Sequence, residues 1–121
     1  MMHRTFILIG ALAGFLGVAL GAFGAHGLRS RLSPDMLAVF ETGVRYQMYH
    51  ALALMLVGAL APGLTARMAT IAGWSFIAGM LLFSGSLYLL ALTDVRMLGA
   101  VTPFGGIAFL IGWAALAYAA I

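Results

Sequence analysis

The sequence has no cysteine, which excludes disulfides, thiolate-bound metals and cysteine nucleophiles. Lysine is missing too: the six basic residues are all arginine, set against only three acids, Asp35, Glu41 and Asp94. Charged residues make up 7% of the 121-residue chain. A net charge of +3, so thinly spread, excludes a nucleic-acid surface, which needs clustered cations to neutralise a line of phosphates. It fits the arginine bias of loops beside anionic lipid. The rest is apolar, with 64% hydrophobic residues and a mean hydropathy of +1.13. Runs of about 20 such residues in so short a chain define an integral membrane protein.

The first 25 residues imitate a signal peptide, with His3 and Arg4 ahead of an apolar run ending in Ala22-Phe23-Gly24-Ala25. A retained helix is expected instead, because the glycines are patterned. Gly10, Gly14, Gly17, Gly21 and Gly24 recur at spacings of 4, 3, 4 and 3, a seam along one helix face that lets a neighbouring backbone come close. His26-Gly27 is the expected end of this helix. Ser33-Pro34-Asp35 then reads as a helix start: serine as cap, proline in the first turn, an acid beside it. Met36, Leu37, Phe40 and Val44 follow at helical spacing, which predicts an amphipathic helix in the membrane interface that runs past Gly43 into the second span. Glu41 and Arg45, at i and i+4, are placed to pair.

The expected fold class is all-α: an integral membrane four-helix bundle forming one transmembrane domain over residues 1–121. Its spans are expected near 5–25, 44–61, 68–92 and 98–120, with the interfacial helix between spans 1 and 2. Pro62-Gly63 and Thr93-Asp94-Val95-Arg96 mark short connections, and Thr102-Pro103-Phe104-Gly105-Gly106 a break inside span 4.

The densest polar run opens the second span. Tyr46 to Ala61 alone makes a helix of about 24 Å, short of the roughly 30 Å of a hydrocarbon core. Tyr46, Gln47, Tyr49 and His50 are therefore drawn into the bilayer, where they must face protein or water. Thr42, Tyr46, Gln47 and His50 share an arc of about 140°. Following the chain up and down puts His26, this run, Ser84 to Tyr88 and Pro103 in one half of the membrane. Arg29, Arg31, Arg45 and Arg96 lie on that side and Arg4 and Arg67 on the other. The count predicts the polar half, with loops 26–45 and 93–97, in the cytoplasm and both termini outside.

Four motifs occur in order: Gly21-Ala22-Phe23-Gly24-Ala25-His26; Phe40 with Thr42, Tyr46-Gln47 and His50; Phe83-Ser84-Gly85-Ser86-Leu87-Tyr88; and Thr102-Pro103-Phe104-Gly105-Gly106. Over nearly the whole chain this resembles the YgdD/YwdK family of small membrane proteins, a domain of unknown function with a eukaryotic transmembrane relative. The resemblance implies a four-helix protein of the bacterial inner membrane. It brings no substrate, cofactor or catalytic residue.

Nor does any pattern name a reaction. Ser84 and Ser86 have no G-x-S-x-G setting and no carboxylate to complete a triad, and neither His26 nor His50 has H-E-x-x-H spacing. No catalytic residue, metal ligand or cofactor is expected. Two readings of the polar residues stay open. In the leading one they are hydrogen-bonded glue between helices, and the protein is a non-enzymatic accessory or assembly component among membrane lipids, within a homo-oligomer or a larger membrane complex. In the other, His26, Thr42, Arg45, Tyr46, Gln47, His50, Ser84, Tyr88 and Thr102 line a ligand-binding pocket, and an oligomer binds or transports an amphipathic molecule such as a lipid or quinone. Arg45 pairs with Glu41 and snorkels in the first reading; in the second it holds an anionic group such as a lipid phosphate.

Overall fold

In the computed structural model, which describes residues 2–121, the regular elements are all helical: α1 Met2–His26, α2 Pro34–Leu60, α3 Ala66–Gly79, α4 Gly85–Thr93 and α5 Thr102–Ala119. A single π-helical turn, Met80–Ser84, joins α3 and α4 into one rod, and 3-10 turns at Ala61–Gly63 and Arg96–Ala100 lead towards α3 and α5. Three stretches are long and apolar enough to cross a membrane, namely Met2–His26, Ala66–Thr93 and Arg96–Ala119. α2 has the length, at 27 residues. Its polar first half keeps it outside that group.

The start of α2 is as its sequence predicts. Ser33 is extended and its hydroxyl accepts from the Met36 amide at 3.2 Å, with Pro34 in the first turn. The amphipathic stretch runs on past Gly43 into the expected second span, as its sequence predicts. Residues 34–44 are the first part of α2, unbroken at Gly43, because the Tyr88 ring lies against that glycine, 2.8 Å from where a Cβ would be. Span 4 is corrected: Pro103 occupies the first turn of α5 and does not break it. A proline there lacks only an amide that has no intrahelical partner. At the other end of the α4–α5 connection Asp94 takes the left-handed conformation, φ 57°, and closes α4 with its amide on the Leu90 carbonyl. Gly27 does not use positive φ; its amide still bonds back to Phe23, under that residue's ring.

α2 is the middle of the bundle. α1 runs antiparallel to it along the glycine seam: a Cβ on Gly10 would come within 2.8 Å of the Ala51 carbonyl oxygen, and one on Gly24 within 2.9 Å of Phe40. Gly17 packs on Met48 and Gly21 on Val44. The expected seam holds with one exception, since Gly14 has no neighbour within 4 Å. α3 and α5 form the second close antiparallel pair, with Gly79 under Phe109 and Gly112 under Phe76. The main core is built of Phe6, Leu54, Val57, Phe76 and Phe109 with small alanines between them. A second cluster, Leu28, Phe40 and Ala91, closes the end near the α1–α2 connection. α5 does not pack its backbone closely on α2. Rings bridge the gap.

Candidate functional site

Of the polar side chains that the sequence places inside the bilayer, Gln47 and His50 are spent on neighbouring helices, whereas Tyr46 and Tyr49 stay exposed on the outer face of α2. From α2, the Gln47 side-chain amide donates to the Ala13 carbonyl of α1 at 2.8 Å and accepts from the Tyr88 hydroxyl of α4 at 2.6 Å. One side chain thus ties three helices. Ser84, in the π turn, donates to the Gly43 carbonyl at 2.7 Å. Ser86 and Thr102 share a hydroxyl pair at 2.6 Å, which fastens α4 to the start of α5. Among the described residues no buried side-chain nitrogen or oxygen lacks a partner.

His50 completes the network. Trp113 of α5 can only donate, so its indole N–H, 3.0 Å away, fixes Nε2 of His50 as the acceptor. The ring proton therefore sits on Nδ1, which donates to the Tyr46 carbonyl at 2.7 Å. The imidazole lies flat on Phe109, with ring centroids 3.5 Å apart, and Phe76 closes a third side at 5.4 Å. His50 is 4% exposed, its ring almost wholly covered by these neighbours.

The nine expected ligand-binding residues do not form one pocket. Gln47, His50, Ser84 and Tyr88 face inward and are joined by the bonds above, with Thr102 fixed at the edge by Ser86. Tyr46 is at the rim, its ring against Phe83 and Tyr49. Thr42 bonds back to the Ala38 carbonyl of its own helix. Arg45 is exposed, and the expected Glu41–Arg45 ion pair is not made; among the described residues the ion pair is Arg96–Asp94, at 3.2 Å on the surface. His26 is exposed in the last turn of α1, near the level of Phe40, and so about 15 Å along α2 from His50. The two histidines share no site, and among the described residues no cluster of histidine and acids is placed to hold a metal.

The network reaches the middle of the bundle. Gln47 lies midway along α2 and bonds Ala13, near the midpoint of α1. His50 meets Phe109 and Phe76, which are central in α5 and in the α3–α4 rod. The polar residues thus run from the end of the bundle that holds the α1–α2 and α4–α5 connections to its mid-depth. Trp113 is the member that sequence reasoning missed. Its signal was an indole N–H, a donor that seeks an acceptor within hydrocarbon, in the middle of an apolar stretch of α5.

Long apolar helices fastened by an internal polar network define a small multi-pass membrane protein. The family model described as "Protein of unknown function (DUF423)" matches residues 20–106, and the chain belongs to that family. It is 50% identical over 119 residues to the UPF0382 membrane protein YwdK of Bacillus subtilis (strain 168), covering 98% of this chain and 97% of that protein. A UPF0382 membrane protein of Staphylococcus epidermidis (strain ATCC 12228 / FDA PCI 1200) is 48% identical over 118 residues, 98% of this chain and 96% of the relative. The resemblance to a YwdK-like family in the sequence motifs is thereby established, and with it residence in the membrane. No solved structure matches the chain.

Proposed function

We propose that the protein is a non-enzymatic component of the bacterial inner membrane, accessory to or assembling with other membrane proteins, whose polar residues fix one arrangement of helices. The observation that carries this reading is that, among the described residues, every buried polar side-chain atom is paired within the protein. A substrate with polar groups would have to break bonds that hydrocarbon cannot replace. Accordingly, His50→Ala lowers thermal stability in detergent without releasing a bound molecule. A stoichiometric small molecule lost on His50→Ala from a protein that keeps its melting temperature would overturn the reading.

In the same proposal α2 is a fourth span. It lies along α1 for most of its length and turns Gln47 and His50 inward, which lets a polar segment cross beside apolar ones. The arginine count puts the α1–α2 and α4–α5 connections in the cytoplasm. With no native cysteine, Ser30→Cys and Gly63→Cys each give a single reactive thiol. A membrane-impermeant maleimide added to intact cells is expected to label Gly63→Cys alone, and Ser30→Cys only after the membrane is opened. Labelling of both in intact cells, or of neither, removes α2 as a span.

A further inference from the structure

Where rings alone bridge α2 and α5, the bundle leaves an open apolar groove of about 550 Å³. Tyr46, Tyr49 and Leu52 wall it on α2, and Gly106, Leu110 and Trp113 on α5. From Gly106 to Trp113 it is about 10 Å long at the rise of an α-helix. Its surface is hydrocarbon and ring faces, and the polar atoms of His50 behind it are already engaged. The groove has the shape and chemistry for an acyl chain.

Two charges stand at its outer end. Arg45, Tyr49 and Leu52 at i, i+4 and i+7 form one stripe of α2, and Glu41 at i−4 extends it outward. Both charged side chains are exposed, and among the described residues neither has an ion-pair partner. Side chains on a helix lean towards its N-terminus, which for α2 is the end nearest the α1–α2 connection. The Arg45 guanidinium is thus carried out of the hydrocarbon towards the head groups. Glu41 lies about 6 Å further out. Such an order, apolar groove, then cation, then anion, complements a lipid whose chain is followed by a phosphate and then by an ammonium.

We propose that the α2–α5 groove with Arg45 and Glu41 is a binding site for one phospholipid of the phosphatidylethanolamine type. The phosphate rests on Arg45, the primary ammonium on Glu41, and an acyl chain lies over Tyr49 and Leu52 towards Trp113. An anionic lipid satisfies Arg45 and leaves Glu41 facing no positive charge. The site rests on α2 being a membrane span, but not on the non-enzymatic reading.

The chain has two tryptophans, so Trp74→Phe leaves Trp113, in the groove wall, as the reporter. The full-length variant is reconstituted into vesicles of equal phosphatidylethanolamine and phosphatidylglycerol, with brominated acyl chains on one lipid or the other. The relative association constant drawn from quenching is expected to favour phosphatidylethanolamine about fivefold, the factor one interfacial ion pair supplies. Glu41→Gln brings the ratio to unity, and Arg45→Gln lowers association of both lipids. Both residues are exposed, so the melting temperature stays put. A wild-type ratio near unity, or a preference untouched by Glu41→Gln, overturns the proposal. If Trp74→Phe disturbs the fold, native mass spectrometry of the wild type from the same two lipids decides by the mass retained. Failure of α2 to span is read separately, from the cysteine labelling.

Discussion

His50 uses both ring nitrogens within the protein, one on a carbonyl of its own helix and one on the indole of Trp113, and offers neither to a ligand. Removing the ring leaves an indole N–H without its acceptor and a void against Phe109. We expect His50→Ala to cost about 2–4 kcal/mol, a cavity term plus a lost interhelical bond, measured by reversible denaturation in mixed micelles. Gln47 and Tyr88 make a cleaner test of the glue. A double-mutant cycle of Gln47→Leu and Tyr88→Phe is expected to return a coupling of about 0.5–1.5 kcal/mol; additive effects would mean that the 2.6 Å contact contributes nothing. These inward residues were legible in the sequence because a polar side chain in an apolar run has one tolerable direction. Thr42 and Arg45 were not, because a hydroxyl can turn back on its own helix and a long cation can leave the hydrocarbon.

At the scale of the element, the glycine seam is a close-contact device for the α1–α2 pair, and its register can be read residue by residue. Gly17→Leu drives a side chain into Met48, whereas Gly14→Leu meets open space. We expect the first to lower the melting temperature in detergent sharply and the second to leave it within error; equal effects would refute a seam that faces α2. The spacing predicted that face to within one glycine, and the cap at Ser33 was legible because its serine, proline and acid each suit one position of a first turn. What α5 packs against was not legible. Lipid and protein core are equally apolar, so a helix with few polar residues carries no mark of its buried side, and Trp113 gave no sign of a partner on α2. The role of Pro103 was misread for a related reason: the sequence does not reveal where a helix begins when no cap precedes it.

The whole molecule is two tight antiparallel pairs, α1 with α2 and α3 with α5, sewn together along α2 by Gln47, Ser84, Tyr88 and His50. That the chain is all helical with short connections was legible from hydropathy and turn residues; the 27-residue length of α2 was not, because its first half is too polar to mark a span. The π turn was not, since Met80-Leu81-Leu82-Phe83 suits either helix. That turn has a consequence for how the chain tolerates change. A π turn holds one more residue than an α turn without altering the phase of the helix beyond it. Elsewhere in a span, losing a residue swings everything beyond it by about 100°, which would carry Tyr88 away from Gln47. Deleting the exposed Leu81 should let Ala66–Thr93 close up as ordinary α-helix with both faces in register, while deleting Leu89, which is also exposed, should scramble the end of α4. Folded yield and melting temperature of the two deletions would tell them apart. The third span thus carries a residue of slack, and length variation in this bundle has one place to be absorbed without loosening the seams on either side.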